Sequence, residues 1–253
     1  MVFLHRFFVK EENIKNDHVK ISGKDYKHIS KALRLEVGDK IIACTGDGYD
    51  LIVELEKFDS DSLLGKIIRK EKNKNEAFNN ITIAQAIPKK RNMELVVKKT
   101  TEIGVNKIIP LTTKRTIVKL KGKKKKKRIS RWQRIAEEAA KQSQRGIIPK
   151  IEDIYTVNQL KTIRENYDLI FVLWASEQEQ SFTELTNVLN TNNQKDIMLL
   201  IGPEGGFNKN EIDFLKDELN AVSLTLGPRI LRTETAPIVG LSILLYEIGD
   251  LGG

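Results

Sequence analysis

The feature that most constrains this chain is a change of hydrophobic rhythm near residue 80. Before it, short apolar runs crowd together: DKIIAC over 39–44, LIVEL over 51–55 and SLLGKII over 62–68, with turn signals such as Asp47 and Gly48 between them. Runs of that length separated by turn residues read as strands of a compact β-barrel. The stretch 69–80 is polar and aperiodic and reads as a linker. From Ile81 onward the apolar runs alternate with helical segments. ITIAQAI (81–87), NKIIPL (106–111), DLIFVLW (168–174), DIMLLI (196–201) and VSLTL (222–226) are buried-strand candidates. After the first of them, Met93, Val96, Val97, Thr100 and Ile103 share one helical face, and Gly104 supplies a stop. A second long helix is expected over 128–144, with Ser130 able to cap it, and further helices between the later strands. Strands alternating with helices imply an α/β domain with a mostly parallel sheet. The expected organisation is a small β domain over 1–72 and an α/β domain over 73–253.

Two loops stand out at the ends of strands, where ligands bind in such sheets. IGPEGGF (201–207) and LGPRILRTETA (226–236) each follow an apolar run. Gly202, Gly205 and Gly206 permit a tight loop and close backbone approach. A phosphate-binding P-loop would need Gly-Lys-Ser/Thr, and the dinucleotide fingerprint needs Gly-x-Gly-x-x-Gly; neither is present. Glu204 would repel phosphate, so the loop suits a ligand with hydroxyls, an amino group or a positive centre. The plainer alternative is a strand-to-helix turn whose glycines serve geometry alone. In the second loop Arg229, Arg232 and Glu234 either face a pocket or pair at the surface, where ion pairs are weak. Asn208 with Glu211 three residues on marks a helix start. Pro237 suits the first turn of a last helix, near a cap at Thr235 or Ala236, whose stripe of Ile238, Leu241, Leu244, Leu245 and Ile248 must be buried in the core or a subunit interface.

The single Cys44 allows no internal disulfide, and His5, His18 and His28 lie at no ligand spacing, which points away from metal or redox chemistry. His5 and Arg6 interrupt the apolar start, so neither a secretory leader nor a membrane span is expected and the chain reads as soluble and cytoplasmic. A formal net charge of +9 suggests a polyanionic partner. The densest patch is the lysine run 123–127, continued by Arg128, Arg131, Arg134, Lys141 and Arg145. It is either a solvated loop or, preferably, a phosphate-contacting face. In the small domain, aromatics beside cations at 5–8 and 26–39 suit stacked single-stranded RNA, although Phe7 and Phe8 can equally be core.

Taken together, these residues resemble the ribosomal RNA small subunit methyltransferase E family of the SPOUT superfamily. The resemblance covers essentially the whole chain, through 5–8, 28–39, 101–104, 110–116, 137–145, 202–207 and 226–236. It implies methylation of N3 of a uridine in 16S rRNA with S-adenosylmethionine as cofactor, on free rRNA or the small ribosomal subunit. It also implies an N-terminal PUA-like β-barrel, a C-terminal SPOUT-type α/β domain with a deep trefoil knot, and a homodimer with no membrane partner. By the same resemblance Ile201, Gly202, Pro203, Glu204, Gly205 and Gly206 hold the cofactor. So do Leu226, Gly227, Ile230, Leu231, Thr233, Thr235 and Ala236, with Leu173 and Trp174 beside them. The RNA would be gripped by Arg6, His28 and Arg34 from the small domain and by Lys123, Lys124, Lys125, Arg128, Arg131, Arg134 and Arg145. The length of the lysine run departs from the family.

Methyl transfer is an in-line displacement whose catalysis is mainly placement. Uridine N3 is a poor nucleophile until its proton leaves, and an arginine near the uracil oxygens stabilises the anion. Arg232 is the first candidate for that role, with Arg229 as the second and Glu234 orienting or accepting the proton. Two rival readings fit the same residues: a non-catalytic RNA-binding or ribosome-assembly factor, and a SPOUT enzyme acting on ribose 2′-OH or on transfer RNA.

Overall fold

A computed structural model describes residues 4–174 and 194–252; a helix expected between the strands at 168–174 and 196–201 falls outside the described residues. The chain divides into two compact units, one comprising residues up to Glu76 together with Ala140–Ile148, the other Ala77–Ala139 and the residues from Pro149.

The first unit is built on a six-stranded sheet of β1 (Arg6–Phe8), β2 (Ile14–Lys15), β3 (His18–Ser22), β4 (Lys40–Cys44), β5 (Tyr49–Phe58) and β6 (Ser62–Lys72). Their order is β1-β4-β5-β6-β3-β2, antiparallel except for the β1–β4 pair. A short helix, α1 (Gly23–Lys27), follows β3. Val19, Ile21, Ile41, Val53, Leu55 and Leu63 alternate inward and form the core with Phe7, so of the two readings for Phe7 packing is the one realised. Strand β6 extends to Lys72, and residues 69–72 are therefore strand rather than linker. Cross-strand pairing with 49–52 overrides their polar composition. As compact units the two parts divide at Glu76 and Ala77, and the small unit takes in 140–148 as well.

The second unit carries a sheet in which, among the described residues, every pairing is parallel. Its strands are β7 (Asn80–Ala86), β8 (Lys107–Thr112), β9 (Lys150–Ile151), β10 (Tyr155–Thr156), β11 (Leu169–Leu173), β12 (Asp196–Ile201) and β13 (Val222–Leu224). The order is β10-β8-β7-β12-β11-β13, with β9 also on β8. Both faces are covered, which is why the strands are apolar throughout rather than alternating. Ile81, Ile83 and Leu199 point to one layer, with α2 (Asn92–Ile103), α3 (Gly122–Gln142) and α5 (Ala236–Glu247); Ala84, Ala86, Met198 and Leu200 point to the other, with α4 (Lys209–Leu219). Gly104 ends α2 at φ 132°, a backbone angle that favours glycine. One apolar side of α5 packs into the core, through Leu241, Leu244 and Leu245; a second side, with Val239 and Ile243, stays half-buried.

One helix begins earlier than expected. α3 starts at Gly122, so the lysine run forms its first two turns and Ser130 is an exposed mid-helix residue, not a cap. Lysine is a good helix former, and propensity here outweighs the repulsion between like charges.

Candidate active site

Strands β11, β12 and β13 end side by side, Leu173 lying opposite both Ile201 and Leu224. The chain leaving each strand turns over the same edge of the sheet. Loops 202–207 and 225–235 consequently share one cavity of about 580 Å³ with Leu173 and Trp174.

The glycine loop is held tightly. The Gly206 N–H donates to Pro203 O at 2.8 Å, with Gly206 at φ 67°. A Cβ on Gly202 would stand 3.1 Å from Phe207 N and 3.2 Å from Gly206 Cα, so the loop backbone would have to give by a few tenths of an ångström to admit a side chain there. Beyond it, Asn208 accepts from Glu211 N at 2.8 Å while Glu211 accepts from Asn208 N at 3.0 Å, the expected capping box of α4. Glu204 accepts from Lys89 N at 2.8 Å, which ties the loop to the connection after β7.

The second loop makes an unusual journey. β13 lies at the sheet edge, yet Thr233 reaches the chain beside β7: its hydroxyl donates to Gly202 O at 2.7 Å and accepts from Gln85 Nε2 at 3.1 Å. The segment must pass back over the ends of β11 and β12 before entering α5. Gln85, fully buried, also donates to Ala86 O at 2.9 Å. A Thr233→Val variant is isosteric but leaves Gly202 O and Gln85 Nε2 without this partner. We expect a loss of about 1–3 kcal/mol in stability, read by urea denaturation, together with weaker ligand binding in the cavity.

The lining reproduces most of the residues singled out from sequence. Arg229, Arg232 and Glu234 border the cavity, as do Gly227, Ile230, Leu231 and Ala236. Thr235 does not; it is the N-cap residue of α5, with Pro237 in the first turn. The walls are apolar at Leu173, Trp174, Ile201, Leu226, Ile230 and Leu231, while the N–H groups of Leu226, Ile230 and Leu231 meet no partner among the described residues. Charge is uneven: Lys89, Lys90, Arg115, Arg229 and Arg232 face only Glu204 and Glu234. Lys89, Lys90 and Arg115 were missed from sequence. They follow β7 and β8 at the same sheet edge, so the strand-end rule used for the other loops would have found them.

The RNA-binding expectations divide. His28 and Arg34 are exposed in the small unit, and Lys123, Lys124 and Arg134 are exposed on α3. Lys125 pairs with Asp153 at 2.6 Å, and Arg128 and Arg131 share Glu94 at 3.5 and 2.8 Å. Arg6 and Arg145 must be corrected. Arg6 is 7% exposed and doubly bonded to Asp50; Arg145 is 2% exposed and bonded to Glu76 at 2.6 Å. Both guanidiniums sit inside the small unit, because a buried charge persists only with a fixed counter-charge. Cys44 is buried beside Arg6, where desolvation pushes its thiol pKa up to about 11. Among the described residues, no helix is long and apolar enough to cross a membrane.

Residues 74–245 match the RNA methyltransferase domain, and residues 21–68 match the RNA methyltransferase PUA domain. Ribosomal RNA small subunit methyltransferase E of Bacillus subtilis (strain 168) is 33% identical over 255 residues, covering 99% of each chain. The protein of that name in Mesomycoplasma hyopneumoniae (strain 232) is 34% identical, over 93% of this chain and 96% of its own. Among solved structures, a ribosomal RNA small subunit methyltransferase E from Neisseria gonorrhoeae bound to S-adenosyl methionine superposes with a TM-score of 0.81 at 25% identity, covering 96% and 98% of the two chains. A methyltransferase from Legionella pneumophila in complex with the cofactor SAM gives 0.80 at 29%, covering 97% and 98%. With a methyltransferase domain over most of its length and relatives a third identical across nearly all of it, this chain belongs to the ribosomal RNA small subunit methyltransferase E family.

Proposed function

We propose that this chain methylates N3 of a uridine in the 16S rRNA of the small ribosomal subunit, with S-adenosylmethionine as methyl donor. The observation that carries the reading is the shared cavity of the 202–207 and 225–235 loops, with apolar walls, backbone donors that are unpaired among the described residues, and a cationic rim. That donor set fits the cofactor: Trp174, Ile201, Leu226, Ile230 and Leu231 suit a flat base, and the free N–H groups of Leu226, Ile230 and Leu231 suit its ring nitrogens. When bound, the cofactor supplies an electrophilic methyl group on a sulfonium.

The chain's own residues then act on the uracil. Arg232 donates hydrogen bonds to the carbonyl oxygens flanking N3, stabilising the anion formed when N3 gives up its proton. Glu234, half-buried on the same loop, accepts that proton or steadies the guanidinium, and Arg229 stands second to Arg232.

Several finer features belong to the same proposal. The return of the chain from the edge strand β13 to Gln85 supports a trefoil knot. The small unit's sheet closes as a PUA-like barrel that binds RNA through His28 and Arg34, while Lys123, Lys124 and Arg134 contact phosphates. The half-buried apolar face of α5, with Val239, Ile243 and the exposed Tyr246, supports a homodimer. The cytoplasm is the compartment such a substrate requires.

The test is incubation of small subunits lacking the modification with enzyme and labelled cofactor, followed by mass analysis of nucleosides. Labelled 3-methyluridine is expected; a 2′-O-methylated product would overturn the assignment, and absence of any heat of S-adenosylmethionine binding would favour a pure RNA-binding module. Replacing Lys123, Lys124 and Arg134 together by glutamine should weaken RNA binding at low salt. It should also flatten the dependence of log Kd on log salt by roughly 2–3, as each lost phosphate contact removes about 0.7–0.9.

A further inference from the structure

We infer that Arg115, at the rim of the cavity, is a positioning residue for the cofactor loop, holding residues 203–207 in their binding shape through their backbone carbonyls. The inference rests on the reading of that cavity as the S-adenosylmethionine site.

Arg115 follows β8 in a turn closed on itself. The Thr113 N–H donates to Thr116 Oγ1 at 2.9 Å, and the Thr116 N–H donates back to Thr113 O at 3.2 Å. The turn is fastened to the start of α4, because the Lys114 N–H donates to Glu211 Oε1 at 2.8 Å, on the carboxylate whose other oxygen completes the Asn208 cap. From this base Arg115 Nη1 donates to Gly205 O at 2.6 Å and to Phe207 O at 3.4 Å. The arginine stem lies against the bare face of Gly205, its Cδ 3.4 Å from where a Cβ would stand.

The consequence is a loop tied on two sides. Glu204 is held by the Lys89 N–H after β7, and Gly205 and Phe207 are held by Arg115 after β8. The loop's internal bond, from Gly206 N to Pro203 O, satisfies neither of the carbonyls that Arg115 takes. Two adjacent glycines leave this stretch with more backbone freedom than any other residues would, and a ligand that must order it binds more weakly. Hydrogen bonds from a charged donor are stronger than neutral ones, so Arg115 removes much of that freedom before the cofactor arrives.

The test is calorimetry of S-adenosylmethionine binding to the full-length protein and to Arg115→Met and Arg115→Lys variants, with steady-state turnover alongside. Methionine keeps the apolar stem and removes the donors; lysine keeps a charged donor on a shorter arm. The methionine variant is expected to bind the cofactor about tenfold or more weakly, with lysine recovering part of the loss. At saturating cofactor, kcat should return close to the parent value, placing the effect in KM. Parent-like affinity in the methionine variant overturns the inference and leaves the cavity reading intact. A fall in kcat with unchanged affinity also overturns it, since Arg115 would then act on the RNA. Absence of binding by the parent protein removes the cavity reading itself.

Discussion

An Arg232→Ala variant should lose about 10²- to 10³-fold in kcat, the usual consequence of removing one donor from a developing anion. Its affinity for S-adenosylmethionine should be little changed. The guanidinium is exposed at the cavity rim and pairs with no carboxylate among the described residues, so it is free for substrate. Structure depends on its backbone instead: Arg232 O accepts from Thr235 N at 2.9 Å and from Ala236 N at 3.0 Å, and alanine preserves both bonds. A fold defect is therefore not expected to masquerade as a catalytic one. Single-turnover methylation of unmodified small subunits, with cofactor binding measured separately, distinguishes the two contributions. Unchanged turnover would remove Arg232 from the mechanism and move attention to Arg229.

An Asp50→Ala variant should lose about 3–5 kcal/mol of stability, because it strands a buried cation. Asp50 accepts two bonds from Arg6, one of them at 2.7 Å, and further bonds from Asn73 Nδ2 at 3.0 and 3.2 Å. Burial alone would lower the Arg6 pKa; hydrogen bonding to Asp50, together with the neighbouring Cys44 and the Asp50 charge, outweighs it and raises the value, so the guanidinium stays charged. Without the carboxylate that charge has no counterpart in the core. Replacing both partners with apolar residues, Arg6→Met with Asp50→Leu, should be markedly milder than the single change, since no charge is then left behind. Urea denaturation of the parent and the two variants measures the difference. A single variant within about 1 kcal/mol of the parent would show that water reaches the pair.

Local signals were the legible part of this chain. Gly104 announced the end of α2, Asn208 with Glu211 announced the start of α4, and the apolar runs at 81–87 and 196–201 announced two central strands. Each is written within a few residues. The glycine loop and the Arg229–Glu234 cluster were legible as a site because strand ends in parallel sheets bind ligands. What stayed hidden depends on partners far along the chain. Arg6 and Arg145 looked like surface cations because Asp50 and Glu76, which bury them, are 44 and 69 residues distant. The neighbour relation of β7 and β12, whose paired residues are 116 apart at Asn80 and Asp196, has no local mark at all. The lysine run misled in the opposite sense, since its charge suggested a loop while its backbone propensity favoured helix.

The discontinuity of the small unit sets the timetable of its folding during synthesis. Glu76 accepts from the Arg145 side chain and from the backbone N–H groups of Gly146 and Ile147, at 2.8 and 2.9 Å. At a translation rate of about 5–20 residues per second, those donors follow Glu76 by roughly 3–14 s. For that interval the nascent small unit carries an unanswered acid where its lock will close. A fragment ending at Glu76 would remain in that state permanently, so excising this unit for RNA-binding studies requires grafting 140–148 back onto it.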